Sequence, residues 1–159
     1  AENTGLNDDS FDFVVSAQAF HWFDRQAARS EFARIVRPGG FTVLIWNQRQ
    51  IRTTPFLTEY EQFLLGYAND YRQVRHENIN EEALREFFGK PFSLDVFKNV
   101  QLFDFDGLKG RVLSSSYMPA ESDGRYGRMT DELQSLFAKH AENGRIEIFY
   151  DTKVYYSRV

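Results

Sequence analysis

The stretch SFDFVVSAQAFHWFDRQAARSEFARIVRPGGFTVLIWN, Ser10 to Asn47, decides the fold. Phe11-Asp12-Phe13-Val14-Val15 has the β-branched and aromatic content of a buried strand. Ser16 to Phe23 reads as a loop, and Asp24 stands where a helix N-cap belongs, its carboxylate able to accept from free N–H groups of the first turn. Ala28, Phe32, Ile35 and Val36 recur at helical spacing and form one apolar stripe. Pro38-Gly39-Gly40 predicts the stop, because proline cannot continue a helix and glycine accepts left-handed geometry. Phe41 to Trp46 is almost wholly apolar, as expected of a strand covered on both faces. The run therefore predicts one βαβ unit of an α/β fold. Ligands of such sheets gather outside the carboxyl ends of the strands, here Ser16–Phe23 and the residues after Trp46.

Working outward, Thr54 and Pro55 read as the cap and first position of a second helix. Phe56, Tyr60, Phe63, Leu64, Tyr67 and Tyr71 give it a wide aromatic stripe. Asn80-Glu81-Glu82 opens a short helix through Phe88, stopped by Gly89 and Pro91. Val100 to Phe105 alternates like a strand. Asp106 to Ser116 reads as a helix running into a serine-rich loop that ends at Tyr117-Met118-Pro119. Thr130 is expected to open the last helix, with Asp131 and Glu132 in its first turn. Met129, Leu133, Leu136, Phe137 and His140 form its buried side, and Ile146 to Tyr156 is the final strand.

The bulk numbers bound the function. At 159 residues the chain is one domain, and 42% hydrophobic with 16% aromatic content supports a core rather than disorder. A net charge of −4 gives no reason to expect nucleic acid as a partner. No run of about 18 apolar residues suggests a membrane span, and Ala1-Glu2-Asn3-Thr4 lacks the basic residues of a signal peptide. There is no cysteine, hence no disulfide or thiolate site. A cytoplasmic protein is expected.

The segments AENTGL, SFDFVVSAQAFHWFD and FARIVRPGGFTVLIWNQR, in this order, resemble the second half of a class I S-adenosylmethionine-dependent methyltransferase. The resemblance is to the methyltransferase type 11-like, trans-aconitate methyltransferase-like branch, and FDGLKGRVLSSSYMP and YDTKVYYSRV extend it to the last residue. It implies the C-terminal half of a Rossmann-like sheet, mostly parallel with the last strand antiparallel, and flanking helices. Phe11–Val15, Phe41–Trp46, Ile146–Tyr156 and Val100–Phe105 would lie side by side in that order. Residues 1–159 would be a single partial domain, with 50–95 an insertion covering the active site. No glycine-rich GxGxG loop occurs in the chain, so the half that holds the methionine and ribose of the cofactor is expected to be missing.

The same resemblance implies S-adenosylmethionine as cofactor of the intact protein. The methyl acceptor would be a small molecule, such as a carboxylic acid, and the fragment alone would be inactive. Ala1 and Glu2 match the adenine-contacting segment, although a frayed polar terminus fits the residues equally well. Ala17, Gln18 and His21 complete the cofactor side. Trp22, Trp46, Arg49 and Tyr117 are the substrate-side candidates, with Arg49 and Tyr117 at the pocket mouth. His21 is the candidate catalytic residue, since an imidazole titrates near neutrality; packing and capping of the helix at Asp24 is the commoner explanation of such a histidine. A ring face attracts a sulfonium, which suits Trp22 and Trp46, but core filling is the commoner fate of tryptophan beside a sheet. Arg49 could clamp a carboxylate in bidentate fashion or lie on the surface. His76 and His140 read as structural, and no residues have metal-ligand spacing.

Two further readings stand beside the enzyme. One is a non-catalytic dimerisation or interaction module on the same fold. The other is a nicotinamide-dependent oxidoreductase, whose glycine fingerprint is absent. The strand at 11–15 would carry an open hydrophobic edge, and a homodimer through that edge is expected.

Overall fold

Asp24 caps the first helix as its position predicts, its Oδ1 accepting from the Ala27 N–H at 3.0 Å. The computed structural model describes residues 1–69 and 81–159. The first strand, β1 (Phe11–Ala17), leads through a 3-10 turn (Phe20–Trp22) into α1 (Arg25–Ile35) and β2 (Val36–Arg49). β1 pairs with β2 in parallel, Phe13 opposite Phe41 and Ala17 opposite Ile45.

One boundary differs from the sequence reading. Val36 is not the last residue of the α1 stripe; it is already extended, at φ −83° and ψ 133°, and begins β2. Arg37 precedes a proline, whose ring disfavours helical geometry there, so the helix ends early. Arg-Pro-Gly-Gly is taken up as an irregularity in the strand: Phe11 faces Val36, yet Phe13 faces Phe41. Gly39 adopts a φ of +83°, and a Cβ on Gly40 would come within 2.6 Å of the Asp12 carbonyl oxygen. Glycine is required at both positions, for different reasons.

Thr54 Oγ1 accepts from the Leu57 N–H at 3.1 Å and Pro55 opens α2 (Pro55–Tyr67), as expected. Tyr71, His76 and Asn80 lie outside the described residues. The next helix among the described residues, α3 (Glu81–Phe88), is followed by Gly89 at φ +63°. β3 (Ser93–Phe103) starts well before Val100, and Phe105 is helical rather than extended. The cause is Asp104, whose carboxylate accepts from the Gly107 N–H at 2.8 Å and starts α4 (Phe105–Leu113) one residue later. The last helix, α5 (Tyr126–His140), begins ahead of Thr130, so Asp131 and Glu132 sit beyond its first turn. Thr130 Oγ1 instead donates back to the Tyr126 carbonyl at 3.0 Å. β4 (Ile146–Arg158) ends the element list.

The strands form a four-stranded sheet in the order β1-β2-β4-β3, the order the resemblance implies. The chain divides into two units within three of these strands. The first holds residues 1–48, 81–98 and 151–159, with its core made by α1, α3 and the sheet: Phe20, Phe32, Leu44, Trp46, Leu84 and Phe87. The second holds 49–69 and 99–150, where Leu57, Tyr60, Leu108, Leu133, Ile148 and Tyr150 are buried between α2, α4, α5 and one end of β4. Each fully buried side chain of this size stabilises its unit by about 1.5–3 kcal/mol.

The first residues are tied down rather than frayed. The Thr4 N–H and hydroxyl donate to Glu31 Oε1 of α1 at 2.8 and 2.5 Å, and Arg34 bridges Glu31 to Asp8. In contrast, Phe13 and Val15 of β1 are more than half exposed.

Candidate active site

The candidate site of the first unit lies where β1 stops. Ala17 is its last residue, and Gln18 turns the chain with φ +56°, a left-handed geometry uncommon for a side chain larger than glycine. The Gln18 N–H donates to the Ile45 carbonyl at 3.0 Å and its Nε2 donates to the Asn47 carbonyl at 3.4 Å. The loop is thus pinned to β2 while holding a strained backbone, a combination that gathers at functional sites.

The 3-10 turn then places three aromatic side chains differently. Phe20 is buried and anchors the turn against Phe87 of α3, ring centroids 5.0 Å apart. His21 lies 4.7 Å from the Trp22 ring and 5.4 Å from that of Trp46. Trp22 is 77% exposed, whereas Trp46 is buried. Partial burial lowers the His21 pKa, because desolvation disfavours the imidazolium, so the ring is neutral at pH 7. Glu2 Oε1 accepts from the Asp24 N–H at 3.0 Å, which brings Ala1 and Glu2 to the start of α1, beside this loop. Six sequence candidates, Ala1, Glu2, Ala17, Gln18, His21 and Trp22, are therefore joined through one turn and helix cap, with Trp46 behind the histidine.

Arg49 and Tyr117 belong to the second unit. The Arg49 guanidinium forms a buried ion pair with Glu61 and lies over the Tyr60 ring at 5.1 Å. Tyr117 is half-buried against the core of that unit, and its carbonyl accepts from the Asn69 N–H at 2.8 Å. Around them stand residues that sequence reasoning passed over: Tyr60, Glu61, Arg111 and Tyr150. Arg111 lies over the Tyr150 ring at 5.6 Å. Burial pushes the Tyr60 and Tyr150 phenols up, and the charges of Arg49 and Arg111 offset part of that push. Both phenols are protonated donors at neutral pH. The signal for Arg111 was within reach, since it sits in the FDGLKGRVLSSSYMP segment that carries the resemblance. Among the described residues no three His, Asp or Glu side chains are grouped to hold a metal ion.

Comparison with known proteins gives a consistent picture. Residues 1–44 match the model of the methyltransferase domain family. An uncharacterized methyltransferase-like protein of Schizosaccharomyces pombe is 38% identical over 155 residues, 96% of this chain and 60% of that protein. An uncharacterized methyltransferase of Mycobacterium tuberculosis is 50% identical over 143 residues, 88% of this chain and 54% of its own length. The chain thus spans little more than half the length of these relatives. Among solved structures, a protein from Anaeromyxobacter dehalogenans described as a "putative type II methyltransferase" aligns over 99% of this chain and 68% of its own, with a TM-score of 0.67 at 17% identity. That likeness carries the fold alone. The first 44 residues thus match the methyltransferase domain model, and nearly the whole chain is similar to relatives named as methyltransferases.

Proposed function

We propose that the chain is the acceptor-side part of an S-adenosylmethionine-dependent methyltransferase acting on a small molecule, with a carboxylic acid as the acceptor class. The observation that carries this reading is the strained, pinned turn at Gln18 with His21 and Trp22 beside it, at the carboxyl end of β1. Those residues suit one side of the cofactor. Ala1, Glu2, Ala17, Gln18 and His21 would line its adenine side, and the exposed Trp22 ring would offer a face to a cation. The cofactor, when bound, supplies an already activated methyl group. The protein's own residues then mainly bind, orient and keep water out. His21, neutral at pH 7, can accept a hydrogen bond or a proton from an acceptor hydroxyl or acid.

The reading extends to a protein longer than this chain, with a cytoplasmic location. Among the described residues no helix is long and apolar enough to cross a membrane. The test is methyl transfer from radiolabelled S-adenosylmethionine to a panel of small carboxylic acids, by a protein spanning the full length of the relatives. Cofactor binding is measured beside it by calorimetry, for that protein and for the 159-residue chain. We expect the longer protein to bind at micromolar concentration and the chain alone to bind weakly or not at all. Absence of binding by the longer protein would remove the proposal.

The interaction-module reading has one observation in its favour, the exposed Phe11, Phe13 and Val15 of β1. It does not account for a left-handed glutamine at the strand end.

A further inference from the structure

The second unit contains a polar cluster with an imbalance of charge. Arg49 and Glu61 neutralise each other, both almost wholly buried. Tyr60 and Tyr150 are buried beside them, and Tyr117 is half-buried. Among the described residues of this cluster, Arg111 is the remaining cation. Its residue is exposed, its guanidinium is held over the Tyr150 ring, and no described carboxylate is paired with it. Below it, the Tyr150 hydroxyl is buried without a hydrogen-bond partner among the described residues.

Arg111 is also firmly mounted. Leu108 and Val112 of α4 are buried to 0% and 1% exposure, which fixes the helix against its core. Past the end of the helix, the Ser114 hydroxyl donates to the Arg111 carbonyl at 2.8 Å, and that of Ser115 donates at 3.5 Å. A rigid arginine set over a buried, unsatisfied phenol offers two kinds of donor to one visitor. The planar guanidinium presents parallel N–H groups to a carboxylate, and the phenol O–H adds a third donor from beneath. A neutral ligand would leave the cation without a counter-charge. A lysine at this place would give the charge without the fork.

We propose that Arg111, together with the Tyr150 hydroxyl, forms an anion site that takes the carboxylate of a small-molecule ligand. Arg49 is not that cation, because Glu61 already holds it. As a statement about the methyl acceptor, this rests on the proposed methyl transfer; as a statement about anion binding, it concerns residues of the second unit only and can be tested without cofactor.

The experiment is an NMR titration of the 159-residue chain with citrate, with inorganic phosphate and with the uncharged triethyl ester of citrate. The chain and its variants Arg111→Gln, Arg111→Lys and Tyr150→Phe are compared at constant ionic strength, and circular dichroism verifies that each is folded. Citrate should bind saturably, and the ester should not. Arg111→Gln should weaken citrate about tenfold or more, the loss of a charge-assisted pair. Arg111→Lys should fall between the two, and Tyr150→Phe should weaken binding by a few-fold. Unchanged citrate affinity in folded Arg111→Gln would overturn the site. Phosphate binding as tightly as citrate would overturn the assignment to carboxylates. Citrate binding that depends on Arg111 supports the site whatever the methyl-transfer assay gives, so the two proposals fail separately.

Discussion

Arg49 and Glu61 form an ion pair in which both side chains are under a tenth exposed. Attraction in such a place is set against the cost of removing two charges from water, and the pair survives on additional contacts such as Tyr60 under the guanidinium. Removing one partner strands the other. Arg49→Gln or Glu61→Gln should each cost about 3–5 kcal/mol in urea denaturation, and the double variant should cost less than the sum. Single variants within about 1 kcal/mol of the parent would mean that water reaches the pair.

Acid should weaken the fold through Glu31 and Asp123. The Arg34 hydrogen bonds first, and then those of Thr4, hold the Glu31 carboxyl down to about 2, and Arg125 holds Asp123 at about 2. Both pKa values lie below those of the unfolded chain, so the unfolded state takes up protons first as pH falls. The stabilisation is complete above about pH 4.5 and is lost on the way down to about pH 2. Unfolding midpoints measured from pH 6 to pH 2 should fall in that window. Glu31→Gln should flatten the slope, and an unchanged slope would count against the Thr4–Glu31–Arg34 arrangement.

His21 should titrate below the ordinary histidine range, because burial disfavours its charged form. The sign follows: the unfolded state binds this proton more readily, so His21 costs stability as pH drops through about 6.5. Proton NMR of the imidazole reads the pKa directly. Trp22→Ala removes the ring 4.7 Å away, admits water and should move the value up. An upward-shifted His21 in the parent chain would contradict the packing against Trp22 and Trp46.

Two glycines should respond oppositely to alanine. At Gly40 the added methyl meets the Asp12 carbonyl and the Val36 side chain at 2.6 Å, and the strand must shift, at a cost of about 1–3 kcal/mol. Gly66 lies in α2 with open space around it, so Gly66→Ala should stabilise by about 0.5–1 kcal/mol. Thermal unfolding of the two variants is sufficient, and a Gly40→Ala variant as stable as the parent would contradict the close approach of β1 and β2.

The open side of β1 should make the isolated chain self-associate, and we propose a homodimer through that edge. Phe13 and Val15 are 59% and 56% exposed, and residues 11–17 contain no lysine or proline to discourage pairing. Light scattering should give a mass above 18.7 kDa, and Phe13→Asp should return it to the monomer value. A monodisperse monomer in the parent chain would show that the edge is tolerated alone.

Local chemistry made much of this fold readable from the residues. Asp24 and Thr54 were identifiable caps because few residue types can accept from a helix's first turn, and both do so. The parallel pairing of β1 with β2 followed from one uninterrupted strand–helix–strand run. The start of α4 was missed because Asp104 caps within what alternation alone reads as strand. The start of α5 was missed because Arg125 gives it no side-chain cap to recognise. In the candidate site, Gln18, His21 and Trp22 were legible from their place after β1. The fate of Arg49 was not, since Glu61 lies on a different element and nothing in their spacing announces a buried pair. Arg111 and Tyr150 come together from α4 and β4, a juxtaposition only tertiary packing creates.

The strand order also bears on how the chain comes off the ribosome. In β1-β2-β4-β3, β4 stands between two strands made earlier in the chain. The β1–α1–β2 segment is complete by Arg49, yet β4 begins only at Ile146. At about 5–20 residues per second, translation leaves β2 waiting roughly 5–20 s for its second neighbour. Through that interval a strand rich in Phe, Val, Leu and Ile has one unpaired side exposed to other chains. Synthesis of β4 is then the event that commits the sheet, and slow codons between β3 and β4 would lengthen the period in which nascent chains can pair with one another.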